Sequence, residues 1–203
     1  PIETLKGIGP KTKEIFLKAG IPTVEELLHY YPRGYERMES PAPIAALREE
    51  ETAAVCAKLE GSLITRRAKN FPVTIGMLRD ESGTIAVNWY RMPFLANTLQ
   101  NGKKYIFRGK VTKKGRQLLL MHPAIFEEEK YEELQKEMQP IYPLVQGLTE
   151  NLLKKNVKVA LESTDSFLEW LPKEIQSRYQ LAEIGYALHQ IHFPKDEYEL
   201  HLA

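Results

Sequence analysis

The sequence lacks the features that mark secreted, membrane-spanning or disulfide-stabilised proteins. Its single cysteine, Cys56, has no partner for an internal disulfide and lies in an alternating apolar run, which favours a buried strand position over a catalytic thiol. No run of about 18 apolar residues occurs, and the N-terminus has no secretory signal pattern. We therefore expect a cytoplasmic protein without disulfides that does not enter a membrane.

Motifs for catalysis are also missing. The chain has no G-x-x-x-x-G-K-[ST] phosphate loop, no H-E-x-x-H and no G-x-S-x-G. His189 and His192 have i,i+3 helical spacing, but no cysteine or carboxylate cluster joins them, which argues against a zinc site. We expect no catalytic residue, no metal site and no cofactor in this chain, and no hydrolysis of ATP by it alone.

What the sequence does contain is positive charge concentrated in one segment. Residues 61–122 hold twelve Lys and Arg against two acids, Asp80 and Glu81, a net charge of +10 in a chain whose net charge is +1. The rest of the chain therefore sums to −9. Because a field of one sign on a compact module attracts polyanions, nucleic acid is the first partner to consider.

The pattern of apolar residues predicts an α+β fold. Five alternating segments begin at Thr52, tight-turn glycines follow Ser82, Asn101 and Lys114, and the short helical segment PFLANTLQ separates the third strand from the fourth. This order is typical of an OB-fold, a five-stranded β-barrel that often binds oligonucleotides; a β-sandwich is the alternative. The predicted domains are an N-terminal helical segment with a linker, the OB-fold, and a C-terminal helical segment: 1–51, 52–126 and 127–203.

The end of the third strand carries the candidate stacking residues. Alternation places Ile85, Val87 and Trp89 in the core and Tyr90 on the opposite face, beside basic residues. Phe94 follows four residues later, so both rings could stack on unpaired bases. In the alternative interpretation, Phe94 caps the barrel core and Tyr90 makes a local hydrogen bond.

The basic residues of the barrel are candidates for phosphate contacts, which give affinity without sequence specificity. Those in the first hairpin loop (Arg66, Arg67 and Lys69) and in the last (Lys113, Lys114 and Arg116) are favoured, because OB-folds commonly bind their ligands with these loops. Arg79 and Arg108 could instead pair with carboxylates. The predicted phosphate-binding residues are Arg66, Arg67, Lys69, Arg91, Lys103, Lys104, Lys113, Lys114 and Arg116.

A weaker set of phosphate candidates lies near the N-terminus. The stretch LKGIGPKTKE is similar to the hairpin of a helix-hairpin-helix, in which glycine N–H groups at the start of a helix approach a phosphate. Gly7, Gly9, Lys11 and Lys13 are the residues concerned. A single copy of this motif often serves only for packing, and both interpretations remain open.

Several segments, in this order, resemble the N-terminal part of the RecG-type ATP-dependent DNA helicases: LKGIGPKTKEIFLKAGIPTVEELLHYYPRGYE, DESGTIAVNWYRMPFLANTLQNGKKYIFRGKV, MHPAIF, PIYPLVQGLTENLLKK and ALHQIHFP. The resemblance implies an OB-fold wedge that splits the branch point of stalled forks and Holliday junctions, with Tyr90 and Phe94 stacking on bases. It also implies branched and single-stranded DNA as partners, action as a monomer, and ATP and Mg²⁺ in a motor that this chain lacks, so that only a longer parent would be the enzyme.

The sequence departs from this family in one motif, and two other functions stay open. The family usually has a phenylalanine pair at the end of strand three, where this chain has Trp89 and Tyr90, a change that keeps the aromatic faces. The alternatives are an OB-fold that anchors a protein partner, such as a single-strand-binding protein, and an RNA-binding OB domain. Salt dependence separates phosphate binding from an apolar protein contact.

Overall fold

The computed structural model describes residues 1–68, 70–163 and 169–203, which divide into two compact units. The barrel unit is Met38–Gln135, and the helical unit combines Pro1–Arg37 with Lys136–Ala203. Among the helices of the described ranges, none has the length and apolarity needed to cross a bilayer.

The barrel unit has the OB-fold expected from the sequence. Numbered along the chain, its elements are β2 (Thr52–Ala68), β3 (Phe71–Arg79), β4 (Thr84–Tyr90), α3 (Leu95–Thr98), β5 (Lys104–Lys114), β6 (Gln117–Phe126) and α4 (Glu128–Gln135). The strands close into a barrel in the order β2-β3-β4-β6-β5, in which only the β4–β6 pair is parallel. Because β5 pairs with both β2 and β6, the sheet has no free edge strand, and the barrel is closed rather than partly open.

The core of the barrel forms because alternate residues of each strand point inward. Trp89 and Phe107 are fully buried there, with ring centroids 6.2 Å apart. Leu95 of α3 is also buried in this cluster, with Met92 packed against it. This packing holds the end of β4 and the start of α3 in place.

The helical unit is built from both ends of the chain. Its elements are α1 (Pro10–Lys18), α2 (Val24–Leu28), β1 (Gly34–Glu36), β7 (Gln139–Ile141), α5 (Glu150–Ser163), α6 (Lys173–Tyr179), α7 (Ile184–His192) and α8 (Glu197–His201). Short 3₁₀ turns at Ile2–Thr4 and Ile44–Ala46 precede α1 and β2, respectively. The strands β1 and β7 pair antiparallel and so join the two parts of the sequence.

These units differ from the three domains predicted from the sequence. Residues 38–51 and 127–135 belong to the barrel unit, because Ile44 and Leu47 enter the barrel core and Tyr131 packs on the outside of β2 and β5. The two helical segments form one unit, because Phe16 of α1 shares a buried cluster with Val157 of α5. Helices this short bury an apolar face only by packing against other elements.

Candidate nucleic-acid interface

Three neighbouring strands place a basic and an aromatic residue in one row on the outer face of the barrel, with Val73 between them. Arg66 of β2 is in register with Val73 of β3, and Val73 is in register with Tyr90 of β4. In the next row, Thr74 and Trp89 are fully buried, whereas Thr65 of β2 is exposed. Because directly paired residues share a face and successive residues alternate, Arg66 and Tyr90 both point away from the core.

Tyr90 is half-buried and has several partners of its own. Its ring stacks on His122, with centroids 5.9 Å apart and planes at 20°, and meets Phe71 edge-on at 5.9 Å and 79°. Its hydroxyl accepts a hydrogen bond from Asn88 Nδ2 at 3.0 Å, and its backbone N–H donates to His122 Nδ1 at 3.1 Å. The ring is therefore held in one orientation while part of it stays accessible.

Phe94 has few contacts by comparison. Its side chain is 53% exposed, and it lies just before α3, where its carbonyl accepts a hydrogen bond from Thr98 Oγ1 at 3.0 Å. Leu95 and Met92, rather than Phe94, pack on the barrel core in this region. An exposed ring on a structured helix start offers an apolar face without a partner in the barrel core.

Arg91 lies between the two aromatic residues in the chain and has a left-handed backbone, with φ +60°. Its N–H donates to Pro72 O at 2.8 Å, and its guanidinium lies 5.7 Å from the centroid of the Phe71 ring. This cation–π contact keeps the charge next to the rings without neutralising it.

The basic residues of the first hairpin lie in a strand rather than in a loop. Arg66 and Arg67, the arginine pair, are exposed residues of β2 that pair with Val73 and Pro72, so their predicted loop position is wrong. The hairpin strands continue to Ala68 because the ladder with β3 extends that far. Lys69 lies outside the described residues.

The basic residues of the last hairpin belong to a different end of the barrel. Thr52, the first residue of β2, pairs with Lys110, so the later β5 residues Lys113 and Lys114 lie beyond the start of β2. The arginine pair lies at the other end of that strand. Lys113 and Lys114 are also strand residues, whereas Arg116 lies in the turn, so the described cations of the two hairpins lie at opposite ends of the barrel.

Acidic residues from the flanking segments pair with many of the barrel cations. The ammonium of Lys103 donates to Glu127 Oε1 at 2.8 Å, and this hydrogen bond raises the pKa of Lys103. Further ion pairs join Arg79 to Glu60, Lys110 to Glu50, Lys113 to Glu49 and, at 3.1 Å, Arg108 to Glu39. Within the described ranges, no ion pair involves Arg66, Arg67, Arg91, Lys104, Lys114 or Arg116.

The N-terminal phosphate candidates belong to the helical unit. Gly7 has a left-handed backbone with φ +94°, and Gly9 is the N-cap of α1. Lys11 is exposed, whereas Lys13 forms an ion pair with Glu3. They are thus not part of the barrel surface that carries Tyr90.

Neither the main cleft of the barrel unit nor a metal-binding cluster adds a second centre near these rings, among the residues that the structure describes. A cleft of about 790 Å³ on the barrel unit is lined by Cys56, Lys58 and Lys104, among others, but not by Tyr90 or Phe94. Burial raises the pKa of Cys56, which makes its thiol a poor nucleophile. Among the described residues, no group of three or more His, Cys, Asp or Glu side chains could hold a metal ion.

Sequence reasoning missed two residues that contact Tyr90. Phe71 is the first residue of β3, and an aromatic residue immediately after a basic hairpin was a usable signal. His122 lies in the MHPAIF segment, but its contact with Tyr90 depends on a strand irregularity that no local pattern indicates. With Tyr90 and Arg91, they form a compact aromatic cluster at the end of β4.

The closed barrel and its aromatic, basic outer face place the protein in the OB-fold class. Within that class, a model of the RecG wedge domain matches residues 1–164, and the chain belongs to this family. The family resemblance and the fold expected from the sequence are thereby confirmed.

Individual relatives agree with this assignment. The ATP-dependent DNA helicase RecG of Streptococcus pneumoniae is 28% identical over 205 residues, which cover 96% of this chain and 28% of that protein. RecG of Thermotoga maritima is 27% identical over 207 residues, covering 100% of this chain and 26% of that protein. A solved structure of RecG bound to a three-way DNA junction has a TM-score of 0.85 and 25% identity, covering 100% of this chain and 28% of that chain. The chain thus spans about a quarter of the length of the relatives it matches.

Proposed function

We propose that this chain binds branched DNA as the wedge region of an ATP-dependent DNA helicase that remodels stalled replication forks and Holliday junctions in repair and recombination. The observation that carries the proposal is the in-register row of Arg66, Val73 and Tyr90, with Arg91 and the exposed Phe94 beside it. It unites unpaired cations and aromatic rings on one outer face of an OB-fold barrel, which is the composition that binds single strands at a branch.

The stacking residues would act by replacing interactions that the bases lose. When a branch opens, each unpaired base loses its stacking on a neighbouring base. Stacking on an aromatic side chain instead stabilises the base by roughly 1–3 kcal/mol. Tyr90 is suited to this role because its orientation is already fixed by His122 and Phe71. Phe94, with 53% of its side chain exposed, would supply the second ring.

The cations would contribute unequally to phosphate binding. Arg66, Arg67 and Arg91 have no ion pair within the described ranges and lie close to the rings in register or in sequence, so they are the strongest candidates. Lys104, Lys114 and Arg116 are equally unpaired but lie elsewhere on the barrel. Lys103 and Lys113 must first leave Glu127 and Glu49, and because both pairs are exposed, breaking them costs little. Lys69 and the set Gly7, Gly9, Lys11 and Lys13 complete the candidates.

The pulling step belongs to another part of the parent protein. ATP binding and its Mg²⁺ would reside in a motor outside this chain, and this chain would hold and split the branch without hydrolysing ATP. Single-stranded DNA is the second expected ligand, and the region would work as a monomer in the cytoplasm.

Protein binding is the second candidate function. Ile64 of β2 and Met77 of β3 are 51% and 38% exposed, and an apolar surface of this kind favours a protein anchor such as a single-strand-binding protein. An apolar protein contact would barely respond to salt, whereas phosphate contacts weaken steeply with it.

The experiment is fluorescence anisotropy of this chain with a labelled three-way fork across a salt series, with linear duplex and single strand as competitors. The proposal predicts preference for the fork and a log–log salt slope of about −0.9 per phosphate contacted. Equal affinity for the fork and the linear duplex would contradict it, and so would binding that does not respond to salt.

A further inference from the structure

We propose that His122 is a positioning residue that holds Tyr90 in its stacking orientation, and that a β-bulge in β6 serves to aim it. The inference rests on the proposed function, because it concerns how the same ring meets a base. His122 is exposed, but its proposed role is indirect: it would act on the DNA through Tyr90.

The bulge follows from the register of β5 and β6. Arg108 pairs with Ala124, and Lys110 pairs with Met121, so the two residues His122 and Pro123 together oppose the one residue between them on β5. His122 has a left-handed backbone with φ +45°. Bulges re-aim a side chain that regular alternation would direct elsewhere, and they are enriched beside functional sites.

The residue opposite the bulge is the one glycine of β5, Gly109. A Cβ at this position would lie 2.9 Å from Pro123 Cα and 3.0 Å from Met121 O. Both neighbours are backbone atoms, which a small rotation of a side chain cannot move away. The close approach of β5 to the bulge therefore requires glycine here.

The bulge gives Tyr90 a hydrogen-bond partner where the strand ladder ends. The parallel pairing of β4 with β6 stops at Asn88 and Met121. Beyond it, Trp89 Nε1 donates to Pro123 O at 2.8 Å, and the N–H of Tyr90 donates to His122 Nδ1 at 3.1 Å. Because a backbone N–H only donates, His122 Nδ1 is the acceptor and takes the place of a ladder carbonyl.

The same imidazole also fixes the tilt of the Tyr90 ring. Its plane is 20° from that of Tyr90 at a centroid distance of 5.9 Å, within the range of offset stacking. His122 thus contacts Tyr90 twice, through a hydrogen bond to its backbone N–H and through stacking on its ring. A ring already held in place loses less conformational freedom when a base stacks on it, which favours binding.

The test is a double-mutant cycle of His122→Ala and Tyr90→Ala, measured as fork affinity by anisotropy. If His122 acts through Tyr90, His122→Ala should weaken fork binding by about fivefold in the wild-type background and by less than about twofold in Tyr90→Ala, a coupling expected for residues in contact. His189→Ala, an exposed histidine of the helical unit, is the matched control and should leave affinity unchanged.

Two more variants separate positioning from loss of structure. His122→Asn tolerates a positive φ and keeps an acceptor on the side chain, so it should recover part of the loss seen in His122→Ala. Gly109→Ala should disturb the bulge. It should therefore reduce the change in 2-aminopurine fluorescence that binding causes when the probe is placed at the branch point of the fork, while the affinity for linear duplex stays unchanged. Melting temperatures identify any variant that fails to fold.

The outcomes distinguish this inference from the function on which it rests. If Tyr90→Ala leaves fork binding unchanged, the stacking function fails and His122 has nothing to position. If Tyr90→Ala weakens fork binding but His122→Ala costs the same in both backgrounds, the function stands and the positioning role is wrong. Fork binding by His122→Asn that is no better than that of His122→Ala would also overturn it.

Discussion

His192 in the helical unit and the rings at the end of β4 in the barrel unit differ in how far the fold satisfies their side chains. In the helical unit, His192 is fully buried and both ring nitrogens are bonded, Nδ1 to the Tyr142 hydroxyl and Nε2 to Leu28 O, each at 2.8 Å. In the barrel unit, Phe94 and part of Tyr90 face solvent at the end of a strand. The contrast is between a histidine whose two ring nitrogens are bonded within the fold and rings that stay partly accessible to solvent.

Charge shows a related difference between local sequence and folded unit. Residues 61–122 carry a net charge of +10, but the whole barrel unit has fifteen Lys and Arg against twelve Asp and Glu, a net charge of +3. The acids come from the segments on either side, as in the pair of Glu39 and Arg108. Among the described residues, the barrel cations outside these ion pairs, Arg66 and Arg91 among them, therefore keep a charge that no carboxylate neutralises.

The largest effect is expected from a change inside the barrel core. Trp89→Ala should lower the free energy of unfolding by about 3–5 kcal/mol, because it leaves a cavity and removes a fully buried side chain. Phe94→Ala is the matched control, since Phe94 is 53% exposed and its loss should cost less than about 0.5 kcal/mol. Urea denaturation of both variants measures the contrast. Equal losses would mean that Phe94 is a core residue and that the comparison is wrong.

Acid should destabilise the helical unit through His192. Burial lowers the pKa of His192 in the folded protein, so the unfolded chain binds this proton more readily. Stability from this group is complete above the unfolded pKa of about 6.5 and falls as the pH drops below it. Denaturant midpoints measured from about pH 7.5 to about pH 5 should decline, and His192→Gln should flatten that decline. An unchanged slope in the variant would assign the acid sensitivity to other groups.

A smaller effect on binding should distinguish unpaired from paired cations. Replacing both Arg66 and Arg67 by alanine removes up to two phosphate contacts, which should reduce the steepness of the log–log salt slope by up to about 1.8. Lys110→Ala is the control, because Lys110 is paired with Glu50 on the same barrel. Anisotropy titrations across salt give both slopes. If the Lys110 variant loses as much slope as the double variant, ion pairing does not decide which cations bind.

The sequence predicted the parts of this structure that depend on local pattern. Period-two alternation and turn glycines identified the five strands of the barrel, and the inward position of Trp89 followed from the same alternation. The capping box that Thr23 and Glu26 form at the start of α2 is a local pattern of the same kind. Each of these signals lies within a few residues of the structure it predicts.

The parts that were not predictable depend on contacts between distant residues. Glu39 and Arg108 are 69 residues apart in sequence, so their pairing appears only once α4 and the linker pack on the barrel. His122 reaches Tyr90 because of a bulge, and a bulge breaks the alternation on which strand predictions rest. The sequence could therefore nominate aromatic and basic residues for the candidate site, whereas the contacts of Tyr90 with His122 and Phe71 became visible only in the structure.

The central claim is that Tyr90 and Phe94 recognise the branch rather than DNA in general. The measurement is the affinity of the Tyr90→Ala, Phe94→Ala double variant for a three-way fork and for a linear duplex of the same sequence, at one fixed salt concentration. We predict that fork binding weakens by at least about tenfold, the equivalent of about 1.4 kcal/mol, while duplex binding changes by less than about twofold. Equal losses on the fork and the duplex would contradict the claim.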